Sequence, residues 1–288
     1  MKMKNITIYL MALPGVLLFA VFHTLPALQG VYYSFTNWDG LSFEYDFIGF
    51  KNYLNLFKDE NIFNSYAFTF KFAILSTILV NILSLLIAIG LNAKIKFKNF
   101  FRAVYFLPNV LGVLIVGYIF NYIFSNIVPK FGEQLNIGFL STNILGNGNL
   151  AWIGIVLVAV WQACALNVIL YLAGLQTVPN ELYEASSLDG ANKLQEFWKI
   201  TFPMIAPFFT INMVLAMKNF LMVFDQVIAL TNGGPGRATE AISVLIYKGG
   251  FQGGEFAYQS ANSVIYFIVI MLISIFQIKV LQRREIDM

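Results

Sequence analysis

Few side chains in this sequence are equipped for chemistry. His23 is the only histidine and Cys164 the only cysteine, which excludes paired-histidine metal sites, an intrachain disulfide and any multi-cysteine metal site. His23 lies in a long apolar run and is expected to be a hydrogen-bonded interior residue. Cys164 is expected to be a small buried residue inside a helix. No nucleophile–base pair is visible, so no catalytic residue and no metal ligand is assigned. A phosphate-cradling GxxxxGK loop followed by Ser or Thr is missing; Gly233-Gly234-Pro235-Gly236 has no lysine following in register and reads as a tight turn.

What remains are amides, aromatics and two charges inside apolar sequence. Lys218 and Asp225 are seven residues apart, which on one helix puts them on roughly the same face. Asn212, Asn219 and Phe220 accompany them, and Trp161, Gln162 and Asn167 form a second group of the same type. An ion within a membrane span is functional by default, with a position for Asp225 near the watery outer end as the structural alternative. Amides beside aromatics suit a sugar, which offers hydroxyls and an apolar ring face. The same residue types also glue membrane helices together, and both readings stand open.

The elements that must position these groups are membrane helices. Hydrophobic residues make up 58% of 288 positions and charged residues 11%, about half the usual charged share of a soluble domain. Six spans are expected, near 9–31, 66–91, 103–124, 151–176, 203–230 and 258–280, each long enough for a core that takes about 20 helical residues. The apolar part of the first is too long for a signal core, and no small-x-small cleavage pattern closes it, so an uncleaved span is expected. The net charge of +3 is small, and no basic tract suggests nucleic acid. With the amino terminus inside, the cytoplasmic segments hold Lys2, Lys4, Lys94, Lys96, Lys98, Arg102, Lys193, Lys199, Lys279, Arg283 and Arg284, whereas the outer segments hold Lys51, Lys58, Lys130, Arg237 and Lys248. That asymmetry predicts both termini in the cytoplasm. Lys71 is expected to snorkel at an outer helix end. The outer loops fall at about 32–65, 126–150 and 231–257, with a cytoplasmic loop at about 177–203. No segment reads as a soluble domain, so the chain is taken as a single transmembrane domain over 1–288, all-α and polytopic.

The cytoplasmic loop is the most informative stretch. Pro179 suits a helix start, Glu181 and Glu184 favour its positive amino-terminal end, and Gly190 is a natural left-handed stop, which predicts a helix of two to three turns. Asn192 with Gln195 three residues later predicts a capping box on a second helix, before Pro203 opens the next span. Ala185, Ser186 and Ser187 carry little bulk, so a partner surface can approach closely.

These residues resemble the binding-protein-dependent permeases of bacterial ATP-driven importers, whose signature is Glu-Ala-Ala, a glycine four residues after the second alanine, and then Ile-x-Leu-Pro. Here it stands as Glu184-Ala185-Ser186, Gly190 and Ile200-Thr201-Phe202-Pro203, with Ser186 replacing alanine and Phe202 replacing leucine. The form from Tyr183 to Ala191 is similar to that of the carbohydrate branch, in particular the larger membrane subunit of maltose-type importers. Two further runs agree: Ser34-Phe35-Thr36-Asn37-Trp38 with Ile48-Gly49-Phe50-Lys51-Asn52-Tyr53, and Phe224-Asp225 leading to Leu230-Thr231-Asn232-Gly233-Gly234-Pro235.

The resemblance implies a type I ABC importer permease fold in the bacterial cytoplasmic membrane, surrounded by lipid. It implies pairing with a second permease, two cytoplasmic ATPase subunits that use ATP and Mg, and an extracytoplasmic sugar-binding protein; this chain itself holds no cofactor. Tyr183, Glu184, Ala185, Ser186, Leu188, Asp189, Gly190, Ala191, Ile200 and Pro203 would couple to the ATPase, while Trp161, Gln162, Asn167, Asn212, Asn219, Phe220 and Asp225 would line a sugar path. An importer of the same family for glycerol phosphate, which would favour Lys218 in the path, is the alternative, followed by an ion-coupled carrier.

Overall fold

A computed structural model describes residues 2–93 and 96–282, with side chains from Tyr9 onward. Lys94, Arg283 and Arg284 and the side chains of Lys2 and Lys4, all counted in the charge asymmetry above, lie outside the described residues. In chain order the helices are α1 (Tyr9–Tyr33), α2 (Lys51–Leu56), α3 (Glu60–Asn92), α4 (Lys98–Val110), α5 (Val113–Gln134), α6 (Ala151–Leu175), α7 (Asn180–Leu188), α8 (Lys193–Met204), α9 (Ala206–Leu221), α10 (Asp225–Leu230), α11 (Ile242–Tyr247) and α12 (Phe256–Leu281). The only strand-like pairing among the described residues is a single bridge, Thr36 to Phe47. The chain forms two compact units, residues 1–63 with 245–269, and residues 64–244 with 270–288.

Among the described residues five helices, α1, α3, α5, α6 and α12, are long and apolar enough to cross a membrane, and the count rises to six if the bent pair α8–α9 is taken as one span. Two expected spans are corrected. The third, placed at 103–124, is broken: α4 ends at Val110, Leu111 and Gly112 are extended, and α5 begins at Val113. Pro108 removes a helical donor just before this break. The fifth, placed at 203–230, is three pieces. Its helix begins at Ala206 with Pro207 in the first turn, not at Pro203, and α8 meets α9 at 70° across Ile205. It ends at Leu221, and α10 starts afresh at Asp225.

Prolines also explain most of the irregular turns. The π-helical turns Ala20–Thr24, Ile123–Ile127 and Phe197–Thr201 each stop two residues before a proline, namely Pro26, Pro129 and Pro203. A proline ring clashes with the carbonyl four residues back, and widening the turn relieves that clash. In the widened turns the carbonyls of Ala20, Ile123 and Phe197 accept from the amides of Leu25, Val128 and Phe202, five residues on.

In the first unit, the resembling run around Ser34 is a self-bonded loop. The Asn52 side chain, buried, donates to the carbonyls of Ser34 (2.9 Å) and Thr36 (2.8 Å), and the Ser34 and Tyr53 hydroxyls lie 2.6 Å apart. The Asp39 carboxylate accepts from the Ser42 hydroxyl and from the amides of Ser42 and Leu41, which hold its pKa at about 2. His23 departs from expectation: it lies exposed on the outer surface of α1, its ring 4.7 Å from that of Phe19.

In the second unit α6 is the hub, with α4, α9 and α10 against it. Lipid is as apolar as leucine, so close backbone approach rather than water exclusion holds such helices together. A Cβ on Gly117 of α5 would collide with Ala229 of α10, and one on Gly174 of α6 would lie 2.7 Å from the Phe208 ring of α9. The buried Tyr171 hydroxyl donates to Asn81 Oδ1 at 2.6 Å, tying α6 to α3. Cys164 is buried in this core, as expected. Lys71 places its ammonium 4.1 Å from the centre of the Trp152 ring, a cation–π contact for a charge within a span.

Candidate functional site

Two regions bring candidate residues together. The first is the loop between α6 and α9. Helix α7 is nine residues long and ends in Asp189 and Gly190, whose φ is +78°. The Gly190 amide donates to the Ser187 carbonyl (3.1 Å) and the Ala191 amide to that of Ser186 (2.9 Å), the paired bonds of a Schellman stop. Asn192 then caps α8: its Oδ1 accepts from the Gln195 amide and Gln195 Oε1 accepts from the Asn192 amide, both at 2.9 Å. The expected helix, glycine corner and capping box are all present.

This loop has an anchored side and a free side. Tyr183 and Ile200 pack with Met204 against a buried cluster containing Val178, Leu175 and Ile205. The Tyr183 hydroxyl lies 2.9 Å from Thr201 Oγ1, joining α7 to the π-turn of α8, and Ser186 Oγ donates to the Tyr183 carbonyl. Pro203 sits one turn beyond, before the 70° bend. In contrast Glu184, Ala185, Asp189 and Gly190 are exposed, and Leu188 is 90% exposed. An apolar side chain held out on a rigid, small-residue helix is suited to insertion into a partner's cleft.

The second region lies in the membrane. Gln162, buried on α6, donates through Nε2 to the carbonyls of Leu111 (3.1 Å) and Pro108 (3.4 Å), the acceptors that the α4–α5 break leaves without helical partners. Its Oε1 has no hydrogen-bond partner among the described residues. Trp161, the neighbouring residue, is 43% exposed with its ring 5.4 Å from that of Phe120. Asn167 donates to the Ala163 carbonyl in its own helix and accepts, at its main-chain oxygen, a long 3.5 Å bond from Asn212. Asn212 is fully buried with Oδ1 unpartnered.

The expected single stripe on one helix does not form. Asn212 and Phe220 face inward, Phe220 edge-on to Phe72 at 5.8 Å, whereas Lys218 and Asn219 face outward on the same side as Ile211, Leu215 and Met222. Lys218 and Asp225 share no helix face, because residues 222–224 separate α9 from α10. Asp225 is half-buried in the first turn of α10. The accessible candidates, Trp161, Lys218 and Asn219, are therefore exposed in this chain alone, while Gln162, Asn167 and Asn212 form a buried layer behind. Sequence reasoning missed the Leu111–Gly112 break and the Gln162 bonds that serve it; Pro108 followed closely by Gly112 was the available signal.

The resembling run from Leu230 to Pro235 opens a compact turn. Thr231 Oγ1 lies 2.7 Å from Thr239 Oγ1, which donates to the Gly234 carbonyl, and Gly233 and Gly236 both have positive φ. Arg237 pairs with Glu240 at 2.6 Å. Beside this turn, Asn121, Ser125 and Asn143 line a polar recess of about 410 Å³.

Comparison with known proteins follows this geometry. A family model described as a binding-protein-dependent transport system inner membrane component matches residues 81–286. The multiple sugar-binding transport system permease protein MsmF of Streptococcus mutans is 40% identical over 266 residues, covering 92% of each chain. The probable starch degradation products transport system permease protein AmyD of Thermoanaerobacterium thermosulfurigenes is 37% identical over 99% of this chain and 97% of its own. Among solved structures, a bacterial ABC transporter involved in the import of the acidic polysaccharide alginate superposes with a TM-score of 0.84 at 23% identity, covering 97% of this chain and 96% of that one; that likeness concerns the fold.

Proposed function

The chain belongs to the binding-protein-dependent transport system inner membrane components, and we propose that it works as the membrane permease subunit of an ATP-driven sugar or oligosaccharide importer. Sugar as the substrate class is supported by the relatives named for sugar and starch-product transport, which the chain matches along almost its whole length. The chain is a multi-pass membrane subunit and not itself the catalyst. ATP hydrolysis falls to separate cytoplasmic subunits, and a second permease and an external sugar-binding protein complete the assembly. Both termini lie in the cytoplasm, and residues 1–288 act as one permease domain.

The observation that carries the mechanism is the two-sided coupling loop. Closure of an ATPase cleft on the exposed face of α7, at Glu184, Leu188 and Gly190, is transmitted because Tyr183 and Ile200 are packed into the bundle core and α7 and α8 are joined at Tyr183–Thr201. Differential contact with the ATPase in its open and closed states then biases the permease between inward- and outward-facing conformations. The sugar passes exposed positions that include Trp161 on α6 and Asn219 on α9, along a path that the partner permease completes. Trp161 offers a ring for the apolar face of a sugar and Asn219 an amide for its hydroxyls, while the buried amides of Gln162, Asn167 and Asn212 hold the helices that carry them.

Uptake of a labelled oligosaccharide by vesicles containing the full assembly tests this reading. A Trp161→Ala variant is expected to assemble normally and lose most uptake, and unchanged uptake would remove Trp161 from the path. A Lys218→Ala variant that retains uptake is expected for a neutral sugar, whereas loss would favour a phosphorylated solute.

A further inference from the structure

Arg102 belongs to neither the coupling loop nor the sugar path proposed above. It lies on α4 four residues past Lys98, about 6 Å from the helix start. Its Nε and Nη2 are shielded from solvent yet have no hydrogen-bond partner among the described residues. A guanidinium stays charged at any physiological pH, and leaving its donors buried and unpaired is costly. The Arg102 side chain lines a recess of about 370 Å³ together with Leu91, Phe106, Leu172 and Gln176, and no lining residue is Asp or Glu. Neither ion pair found among the described residues involves Arg102.

Tyr105 lines this recess and also a second, apolar cavity of about 690 Å³, whose walls include Ile87, Leu107, Leu157 and Trp161. Tyr105 is thus common to the walls of both, which are built from α3, α4 and α6. From Gln176 to Trp161 is fifteen residues of α6, roughly 22 Å along the helix, somewhat more than the ~15 Å of hydrocarbon in one leaflet. The recess lies where α3 ends at Asn92, α4 begins at Lys98 and α6 ends at Leu175, the level at which lipid headgroups sit. Lys96 is exposed at the same end, and Lys98 donates to the Asn92 carbonyl there.

We propose that these two recesses together hold one anionic phospholipid, with its phosphate against the Arg102 guanidinium and an acyl chain passing Tyr105 along α4 and α6 toward Trp161. A planar guanidinium fork matches phosphate oxygens in pairs, and the apolar walls take the chain. The neighbouring lysines favour an anionic over a zwitterionic headgroup. The bound lipid would fill the space behind the α4–α5 break, next to the face proposed for the sugar.

Brominated acyl chains quench tryptophan on contact, and Trp161 stands in the groove as a reporter. The complete assembly is reconstituted in phosphatidylcholine vesicles containing equal mole fractions of brominated-chain phosphatidylglycerol or brominated-chain phosphatidylcholine. Trp161 emission is taken as the difference between the parent and Trp161→Phe. Phosphatidylglycerol is expected to show a relative affinity on the order of ten-fold higher, because its headgroup lacks the choline cation that Arg102 and the neighbouring lysines repel. Arg102→Gln should weaken quenching by both lipids and lower that preference, and Arg102→Lys should lower it less. Equal quenching by both lipids overturns the proposal, as does an undiminished preference in Arg102→Gln. Absence of quenching by either lipid would show that protein, not lipid, covers the groove. The parent comparison decides the matter even where Arg102→Gln fails to assemble.

Discussion

Replacing Gly190 by alanine isolates the backbone contribution of the coupling corner. An added Cβ at this position meets no atom within 4 Å, yet φ is +78°, so within the chain the whole cost of alanine is conformational. A left-handed backbone costs an L-residue about 1–2 kcal/mol. In the free loop the variant relaxes to a right-handed backbone, and docking must restore the corner. The affinity of the purified permease pair for its ATPase subunits should fall by roughly 5- to 30-fold. Asparagine tolerates this region better than alanine and should lose less than about 5-fold, while valine, β-branched and less tolerant, should lose most. Equilibrium binding of labelled ATPase to the pair in detergent, with far-UV circular dichroism to verify folding, reads the series. An alanine variant that binds like the parent would refute the reasoning, and asparagine no better than valine would show that partner contact rather than backbone geometry decides.

Tyr183→Phe removes the hydroxyl that joins α7 to Thr201, worth about 1 kcal/mol; assembly should persist while uptake per ATP hydrolysed falls, measured in vesicles. Gln162→Leu leaves the carbonyls of Leu111 and Pro108 without their donor and should destabilise the purified assembly by about 1–3 kcal/mol in a thermal-unfolding assay. The Asp39 carboxyl is held at about 2, below its ordinary 3.8, so the ionised turn gains stability that is complete above the ordinary value and is lost as pH falls through about 2. Trp38, whose indole donates to Ser42, should report this as an emission change confined to acid below about pH 4 and absent in Asp39→Asn.

Local rules made the coupling loop legible in the sequence. Pro179, Gly190 and the Asn192–Gln195 pair act within one turn of themselves, and their hydrogen bonds appear where their spacing requires. Apolar length likewise announced the spans of α3, α6 and α12. The α4–α5 break and the ending of α9 at Leu221 escaped because an apolar run looks the same whether or not its helix is continuous. Pro108 removes a donor, but only the Gln162 amide, reaching from another helix, makes the broken carbonyls tolerable at that depth. The stripe of Asn212, Asn219 and Phe220 failed for a related reason. Helical spacing relates residues to one another, but the packing of α6 decides which side turns inward, and it took Asn212 and Phe220.

The central claim, that α7 receives the motion of an ATPase and passes it to the bundle, is tested most directly by cross-linking. A cysteine at Leu188, introduced after Cys164→Ser, is paired with cysteines placed around the cleft of the ATPase subunit in the complete assembly. The account predicts disulfide formation at that tip, and loss of both ATP-driven sugar uptake and its ATPase activity on cross-linking, with both restored by reductant. Oligosaccharide uptake by this chain with no ATPase present, or full uptake in the cross-linked assembly, would contradict it.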